Sequence, residues 1–244
     1  MKIGAIIQAR MGSTRLPEKV MKELFGKTVL EHVIERVGQS KCVDEIIIAT
    51  TVEDRDSIIF DEAIKCGAKA FKGSENDVLS RYYFAAKENN LDVIVRVTSD
   101  CPLIDPLILD EMIEFYLNNE FDIVTNAGSD VLNRTFPRGL DTEIFSFQVL
   151  EDTFINAKEN YQREHVTPYI YETSECKEYF MNEINYSKYR WTLDTDEDFK
   201  LISEVYDYLY HGKHDFYFQD IIKLFESRPE LYDINAHIEQ KKIK

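Results

Sequence analysis

Ile3-Gly4-Ala5-Ile6-Ile7-Gln8-Ala9-Arg10-Met11-Gly12-Ser13-Thr14-Arg15-Leu16-Pro17-Glu18-Lys19 sets a short apolar run against a loop of small residues and cations. Residues 3–7 read as a buried strand. Gly12, Ser13 and Thr14 let backbone N–H groups approach a ligand closely, and Arg10, Arg15 and Lys19 can neutralise phosphate oxygens. Taken alone, this loop also reads as an ordinary surface turn with scattered charge. The rest of the chain decides between the two readings.

Strand and helix signals alternate outward from that loop. Residues 28–40 place Val29, Leu30, Val33, Ile34 and Val37 on one helical stripe. Residues 45–51 (EIIIATT) are a second strand, and residues 54–66 a helix closed by Gly67. A helix over 77–89, a buried strand over 93–98, a helix over 106–118 opened by Pro106 and a strand over 121–125 follow. This rhythm predicts an α/β fold: a mostly parallel sheet with helices on both faces. Ligands of such sheets lie beyond the carboxyl ends of the strands, where the opening loop and the loop after Thr98 both fall. From residue 127 to residue 189 the pattern changes to tyrosines, prolines and short β-like runs, TEIFSF and EYFMNEI. A small antiparallel excursion is expected there. Residues 190–193 read as a return strand, 197–210 and 218–226 as helices, and 1–244 as one domain.

The chain carries 29 Lys+Arg against 45 Asp+Glu, a formal charge of −16 over 244 residues. That mean field repels polyanions, so a phosphate site has to be built locally from clustered cations and metal ions. It also argues against a nucleic-acid face. No secretory signal and no apolar run of membrane-spanning length is apparent, which points to a cytoplasmic protein without membrane partners. Cys42, Cys66, Cys101 and Cys176 form no CxxC pair and read as free thiols. The sequons at Asn133 and Asn185 carry no weight without secretion. There is no GxGxxG, and Gly26-Lys27-Thr28 is not a phosphate loop because Met21 stands where its first glycine belongs. His211 and His214 read as a surface pair.

Two acidic segments bear on metal binding. In RVTSDCPLID, Asp100 follows a buried strand directly, where it can hold Mg²⁺ on a bound nucleotide or cap the next turn. Asp105, before Pro106, fits a helix cap. In RWTLDTDEDF, capping accounts for Asp196, Glu197 and Asp198 more readily than for Asp194. Two strand-end carboxylates, Asp100 and Asp194, are what a phosphate-bridging metal site requires. His165, at the start of an expected helix, reads as structural sooner than catalytic.

QARMGSTRLPEKV, RVTSDCPLID, GSENDVLSRYY, RGLDTEIFS, REHVTPYIY and RWTLDTDEDF resemble blocks of the CTP-dependent sugar nucleotidyltransferases. These cytidylyltransferases include those for 3-deoxy-manno-octulosonate and acylneuraminate. The similarity covers most of the chain and is closest to the spore coat polysaccharide biosynthesis protein F subfamily. It implies a fold of the nucleotide-diphospho-sugar transferase type, Mg²⁺ as cofactor, and CTP and a sugar acid or sugar derivative as substrates. A homodimer is also implied, with residues 127–189 serving dimerisation or substrate binding. Gln8, Ala9, Arg10, Gly12, Ser13, Arg15 and Lys19 would bind the nucleotide, with Arg15 and Lys19 on the triphosphate. Ser74, Asp77 and Arg81 fall in the block that approaches the base. Asp100 and Asp194 would hold Mg²⁺, and Arg15, Lys19 and Asp100 would serve catalysis. The implied reaction transfers CMP from CTP, with release of pyrophosphate, for surface or spore coat polysaccharide. A sugar-nucleotide-dependent glycosyltransferase and a non-catalytic nucleotide-binding homologue are the competing readings. Glu18 departs from the family's usual glycine, and its carboxylate would oppose a triphosphate unless it faces solvent or pairs with Lys22.

Overall fold

The computed structural model describes residues 1–127 and 134–239. Part of the 127–189 excursion, the Asn133 sequon and the last five residues therefore lie outside the described residues. The chain begins with β1 (Ile3–Gln8), a hairpin of β2 (Glu23–Leu24) and β3 (Lys27–Thr28), α1 (Val29–Val37) and β4 (Glu45–Thr51). It continues through α2 (Ser57–Lys65), β5 (Lys69–Gly73), α3 (Val78–Glu88), β6 (Val93–Thr98), α4 (Pro106–Leu117) and β7 (Ile123–Thr125). After the undescribed stretch come β8 (Glu143–Ser146), α5 (Phe147–Asn156), α6 (Asn160–His165), α7 (Pro168–Thr173) and β9 (Lys177–Tyr179). Helices α8 (Asp196–Leu209), α9 (Phe218–Ser227) and α10 (Glu230–Asp233) close the described chain.

Seven strands form one sheet in the order β5-β4-β1-β6-β8-β7-β9. β5, β4, β1 and β6 run parallel, and β8 is antiparallel to both β6 and β7. Alternate residues of the central strands enter two cores. Ile3, Ala5, Ile7, Val93, Val95 and Val97 pack with α1, α4, α8 and α9, while Ile6, Ile47 and Ile94 pack with α3 and α5. Helices thus cover both faces, as the alternation in the sequence requires. From β1 the chain steps outward to β4 and β5, then returns to β6 on the other side of β1. That reversal opens a crevice beyond the carboxyl ends of β1 and β6.

Several elements depart from the sequence reading. β5 was not expected, because Lys69-Ala70-Phe71-Lys72-Gly73 has one large apolar residue; it is an edge strand and needs a core on one side only. Residues 190–193 are not a strand of the sheet. They make a single bridge, Arg138 to Arg190, and Leu193 N–H donates to the Asp100 carbonyl at 2.8 Å. Gly139 permits that approach: its φ is +100°, and a Cβ there would lie 2.4 Å from the Trp191 carbonyl carbon. The antiparallel part of the 127–189 segment is β8, and its helices α5 to α7 were not anticipated beyond the neighbourhood of His165. His165 ends α6 rather than opening a helix. Phe136, Phe145 and Tyr189 lie in the core, whereas Ile155, Met181 and Ile184 are exposed.

Candidate active site

The crevice is a cleft of about 340 Å³, a size suited to a small ligand. The opening loop forms one wall, with Gln8, Ala9, Arg10, Gly12, Ser13, Arg15 and Lys19 all on its lining. Met11 N–H is tied to Asp56 Oδ1 at 2.7 Å, and Ser13 N–H to the Met11 carbonyl at 2.8 Å. The loop is therefore held partly by its own backbone. Gly12 is not required by space, since a Cβ there would make ordinary contacts with Glu75 and Arg55.

Asp100 and Asp194 meet across the cleft through Lys19. Its Nζ donates to Asp100 Oδ2 at 2.7 Å and to Asp194 Oδ1 at 2.8 Å. Arg15 Nη2 lies 2.8 Å from Asp194 Oδ2, and Thr98 Oγ1 donates to Asp100 Oδ1 at 2.5 Å. Burial pushes the Asp100 carboxyl up, but the Lys19 charge and these hydrogen bonds outweigh it and hold the group below its ordinary range. Burial likewise pushes Lys19 down, and the two aspartates more than reverse this. Asp194 belongs to a loop, not a strand end, and the Leu193–Asp100 backbone bond brings that loop to β6.

Asp194 is fixed from behind. Asp198, fully buried, takes a two-pronged grip from Arg190, with Nε to Oδ1 at 2.9 Å and Nη2 to Oδ2 at 3.0 Å. Its Oδ2 also accepts from Asp194 N–H at 2.9 Å and Thr195 N–H at 3.0 Å. Arg190 Nη2 reaches Asp194 Oδ2 at 3.1 Å. Asp198 completes a capping box with Thr195, as the acidic run suggested, and it also holds the Asp194 backbone N–H. The four-residue spacing of Arg190, Asp194 and Asp198 was the overlooked signal. Asp196 is exposed at the first turn of α8.

Of the base-side candidates, Arg81 lines the cleft and Ser74 and Asp77 do not. Asp77 caps α3 by accepting from Ser80 N–H at 3.0 Å, and it holds Arg163 at 2.7 Å. Ser74 Oγ accepts from Asp77 N–H at 3.2 Å. Arg81 is 2% exposed, and its Nε and Nη1 have no hydrogen-bond partner among the described residues. Desolvation depresses its pKa. A buried guanidinium with two unpartnered nitrogens on the cleft lining is a costly feature that an anionic or carbonyl-bearing ligand would satisfy.

Val20, Val78, Ser99, Glu164 and His165 also line the cleft; of these the sequence reading had assigned a role only to His165, as a structural residue. Val166, which follows, is fully buried at φ +72°, ψ −56°, and Thr167 N–H donates to the His165 carbonyl at 2.9 Å. This is a γ-turn of the strained kind. Thr167 and Tyr171 donate to Glu143 Oε1 at 2.9 and 2.6 Å, and Glu143 also pairs with Arg96. Arg96 in turn donates to Gln8 Oε1 at 3.3 Å, so one network links the end of β1 to the α6–α7 turn.

Glu18 is exposed and sits at φ +56°. The left-handed backbone explains a preference for glycine at this position, and Glu18 is not among the residues that line the cleft. His214 is buried, not at the surface: its Nε2 lies 2.8 Å from His32 Nδ1. His211 is exposed. Elsewhere Glu31, Glu62 and Cys66 bring ligand atoms within 4.8 Å of one another, but Lys27 and Lys65 already neutralise Glu31. Among the described residues no helix is long and apolar enough to cross a membrane.

A mostly parallel sheet, with a cation-rich first loop and two carboxylates that converge on Lys19 beyond the ends of β1 and β6, places the chain in the α/β class. The chain belongs to the cytidylyltransferase family, whose pattern matches residues 4–243. It is 41% identical over 245 residues to an uncharacterized protein of Methanocaldococcus jannaschii, covering 99% of this chain and 97% of that one. It is 35% identical over 207 residues to the spore coat polysaccharide biosynthesis protein SpsF of Bacillus subtilis, with 82% and 85% covered. A cytidylyltransferase structure from Leptospira borgpetersenii superposes with a TM-score of 0.89 at 38% identity over 99% of both chains. A CMP:2-keto-3-deoxy-manno-octonic acid synthetase solved with CTP shares the fold, with a TM-score of 0.67 at 17% identity over 85% and 99%.

Proposed function

We propose that this protein is a Mg²⁺-dependent cytidylyltransferase that transfers CMP from CTP to a sugar acid or sugar derivative. The observation that carries this reading is the convergence of Lys19, Arg15, Asp100 and Asp194 at the crevice between β1 and β6. The acceptor hydroxyl oxygen bonds to the α-phosphorus, the bond from that phosphorus to the bridging oxygen breaks, and pyrophosphate leaves. The hydroxyl proton passes to solvent. Lys19 and Arg15 neutralise the phosphates as charge moves onto the leaving group. Gln8, held by Arg96, and Arg81 position the nucleoside end. The donor set fits a hard divalent cation: two carboxylates already drawn onto one positive group. Asp100 and Asp194 would hold Mg²⁺, which supplies charge neutralisation for phosphate oxygens when bound.

Similarity to SpsF favours a role in spore coat or other surface polysaccharide synthesis. Exposed Ile155, Met181 and Ile184 favour self-association through the 127–189 segment. A cytoplasmic location follows from the nucleotide substrate. Mixing the protein with CTP, Mg²⁺ and a panel of acidic sugars should release pyrophosphate with at least one of them. Sugar transfer from a CMP-sugar to an acceptor, without pyrophosphate release from CTP, would favour the glycosyltransferase reading instead. CTP binding without turnover of any acceptor would favour a non-catalytic homologue.

A further inference from the structure

The cations proposed to bind phosphate are already engaged. Lys19 Nζ is held by Asp100 at 2.7 Å and by Asp194 at 2.8 Å, and Arg15 lies 2.8 Å from the other oxygen of Asp194. Arg190 pairs with Asp194 and Asp198 behind them. Three cations and three carboxylates thus balance one another within one cluster. Lys19 is 13% exposed, so little solvent screens it. An ammonium and a divalent cation compete for the same carboxylate lone pairs. Carboxylate and phosphate oxygens compete for the same ammonium.

We propose that Lys19 is an exchanged counter-ion: it holds Asp100 and Asp194 together until those aspartates take a divalent cation, and is thereby released to the phosphates of the nucleotide. The inference rests on the nucleotidyltransferase reading above. A divalent cation entering alone would strand the Lys19 charge. A triphosphate entering alone would strip Lys19 and Arg15 from two facing aspartates, which would then repel each other. When both enter, each charged group trades one partner for another. Metal and nucleotide therefore bind weakly apart and tightly together, and linkage makes the coupling equal in both directions. The side chain is suited to this task. Lysine is a point charge on a flexible four-carbon stem, and Lys19 opens a single 3₁₀ turn directly after the left-handed Glu18.

The test uses Mn²⁺ alone, without nucleotide, on the wild type, Lys19→Met and the double variant Lys19→Met/Asp100→Asn. Titration followed by electron paramagnetic resonance of free Mn²⁺ should show Lys19→Met binding at least tenfold tighter than wild type, and the double variant losing that gain. Thermal melting gives a second readout, since Mn²⁺ should raise the midpoint of Lys19→Met and leave the wild type nearly unmoved. In the wild type, CTP and Mn²⁺ should each bind at least tenfold tighter when the other is present. Equal Mn²⁺ affinity for wild type and Lys19→Met would overturn the exchange. So would tight Mn²⁺ binding by the double variant. Failure of the nucleotidyltransferase reading looks different: no CTP binding by the wild type at any metal concentration, with the Mn²⁺ titrations unaffected.

Discussion

Asp198→Asn is the substitution that most sharply separates a positioning carboxylate from a helix cap. Asp198 is fully buried and accepts from Arg190 Nε and Nη2, Asp194 N–H, Thr195 N–H and Asn235 Nδ2, all at 2.8 to 3.0 Å. Asparagine keeps the shape but replaces one oxygen by a donor. Turned one way, its amide opposes Arg190 Nη2 and two backbone N–H groups. Turned the other way, it opposes Arg190 Nε and Asn235. In both cases Arg190 keeps one hydrogen bond to the remaining oxygen and its contact with Asp194 at 3.1 Å, but it loses the carboxylate charge that faces it. Removing one member of a buried ion pair costs about 3–5 kcal/mol, and the surviving Asp194 contact places this case near the lower figure. For a chain of this size, about 3 kcal/mol corresponds to a fall in melting temperature of roughly 6–12 °C. A simple loss of the Thr195 cap would cost only about 1 kcal/mol. Calorimetric melting, supported by urea unfolding, measures the difference. A loss of 1 kcal/mol or less would refute the claim that Asp198 anchors the Asp194 loop.

Arg81→Met should raise the melting temperature of the ligand-free protein, because it removes an unmatched buried charge, and should weaken CTP binding at least tenfold; a destabilised variant with unchanged affinity would contradict both halves. Glu18→Gly should change CTP affinity less than tenfold, since the side chain does not line the cleft. It should also leave stability unchanged or raise it by up to about 1.5 kcal/mol, the left-handed penalty of about 1–2 kcal/mol being offset by glycine's chain entropy of about 0.5–1 kcal/mol. A hundredfold gain in affinity would show that the carboxylate faces the ligand after all. His214 gives a pH signature. Burial, with Arg36, His32 and Lys27 nearby, pushes it down to about 3. It is then neutral when folded and protonated when unfolded below its ordinary value of about 6.5, so stability falls as pH drops from there toward 3. The stability of His214→Gln should depend less steeply on pH over that window, as urea midpoints at successive pH values will show.

The sheet was legible because its central strands are short apolar runs buried on both faces, and the helices between them carry stripes and caps. Asp105 caps α4, as its place before Pro106 suggested. β5 was not legible because an edge strand needs little apolar sequence. The loop cations and Asp100 were legible from their place after β1 and β6. Asp194 was assigned to the site for a reason that does not hold: it ends no strand, and a tertiary backbone bond from Leu193 brings it to Asp100. The parts that escaped notice are long-range. The Gln8–Arg96–Glu143–Thr167 network joins residues of β1, β6, β8 and the α6–α7 turn. The His32–His214 contact spans 182 positions of sequence, so no local pattern could reveal it.

Calorimetric titration with CTP, UTP, ATP and GTP in the presence of Mg²⁺ bears most directly on the central claim. The wild type and the Asp196→Asn variant should bind CTP in preference to the others, and Asp100→Asn and Asp194→Asn should each lose that binding while keeping a cooperative melt. Preference for ATP or GTP, or undiminished CTP binding by both Asp100→Asn and Asp194→Asn, would contradict a cytidylyltransferase site built on Lys19, Asp100 and Asp194.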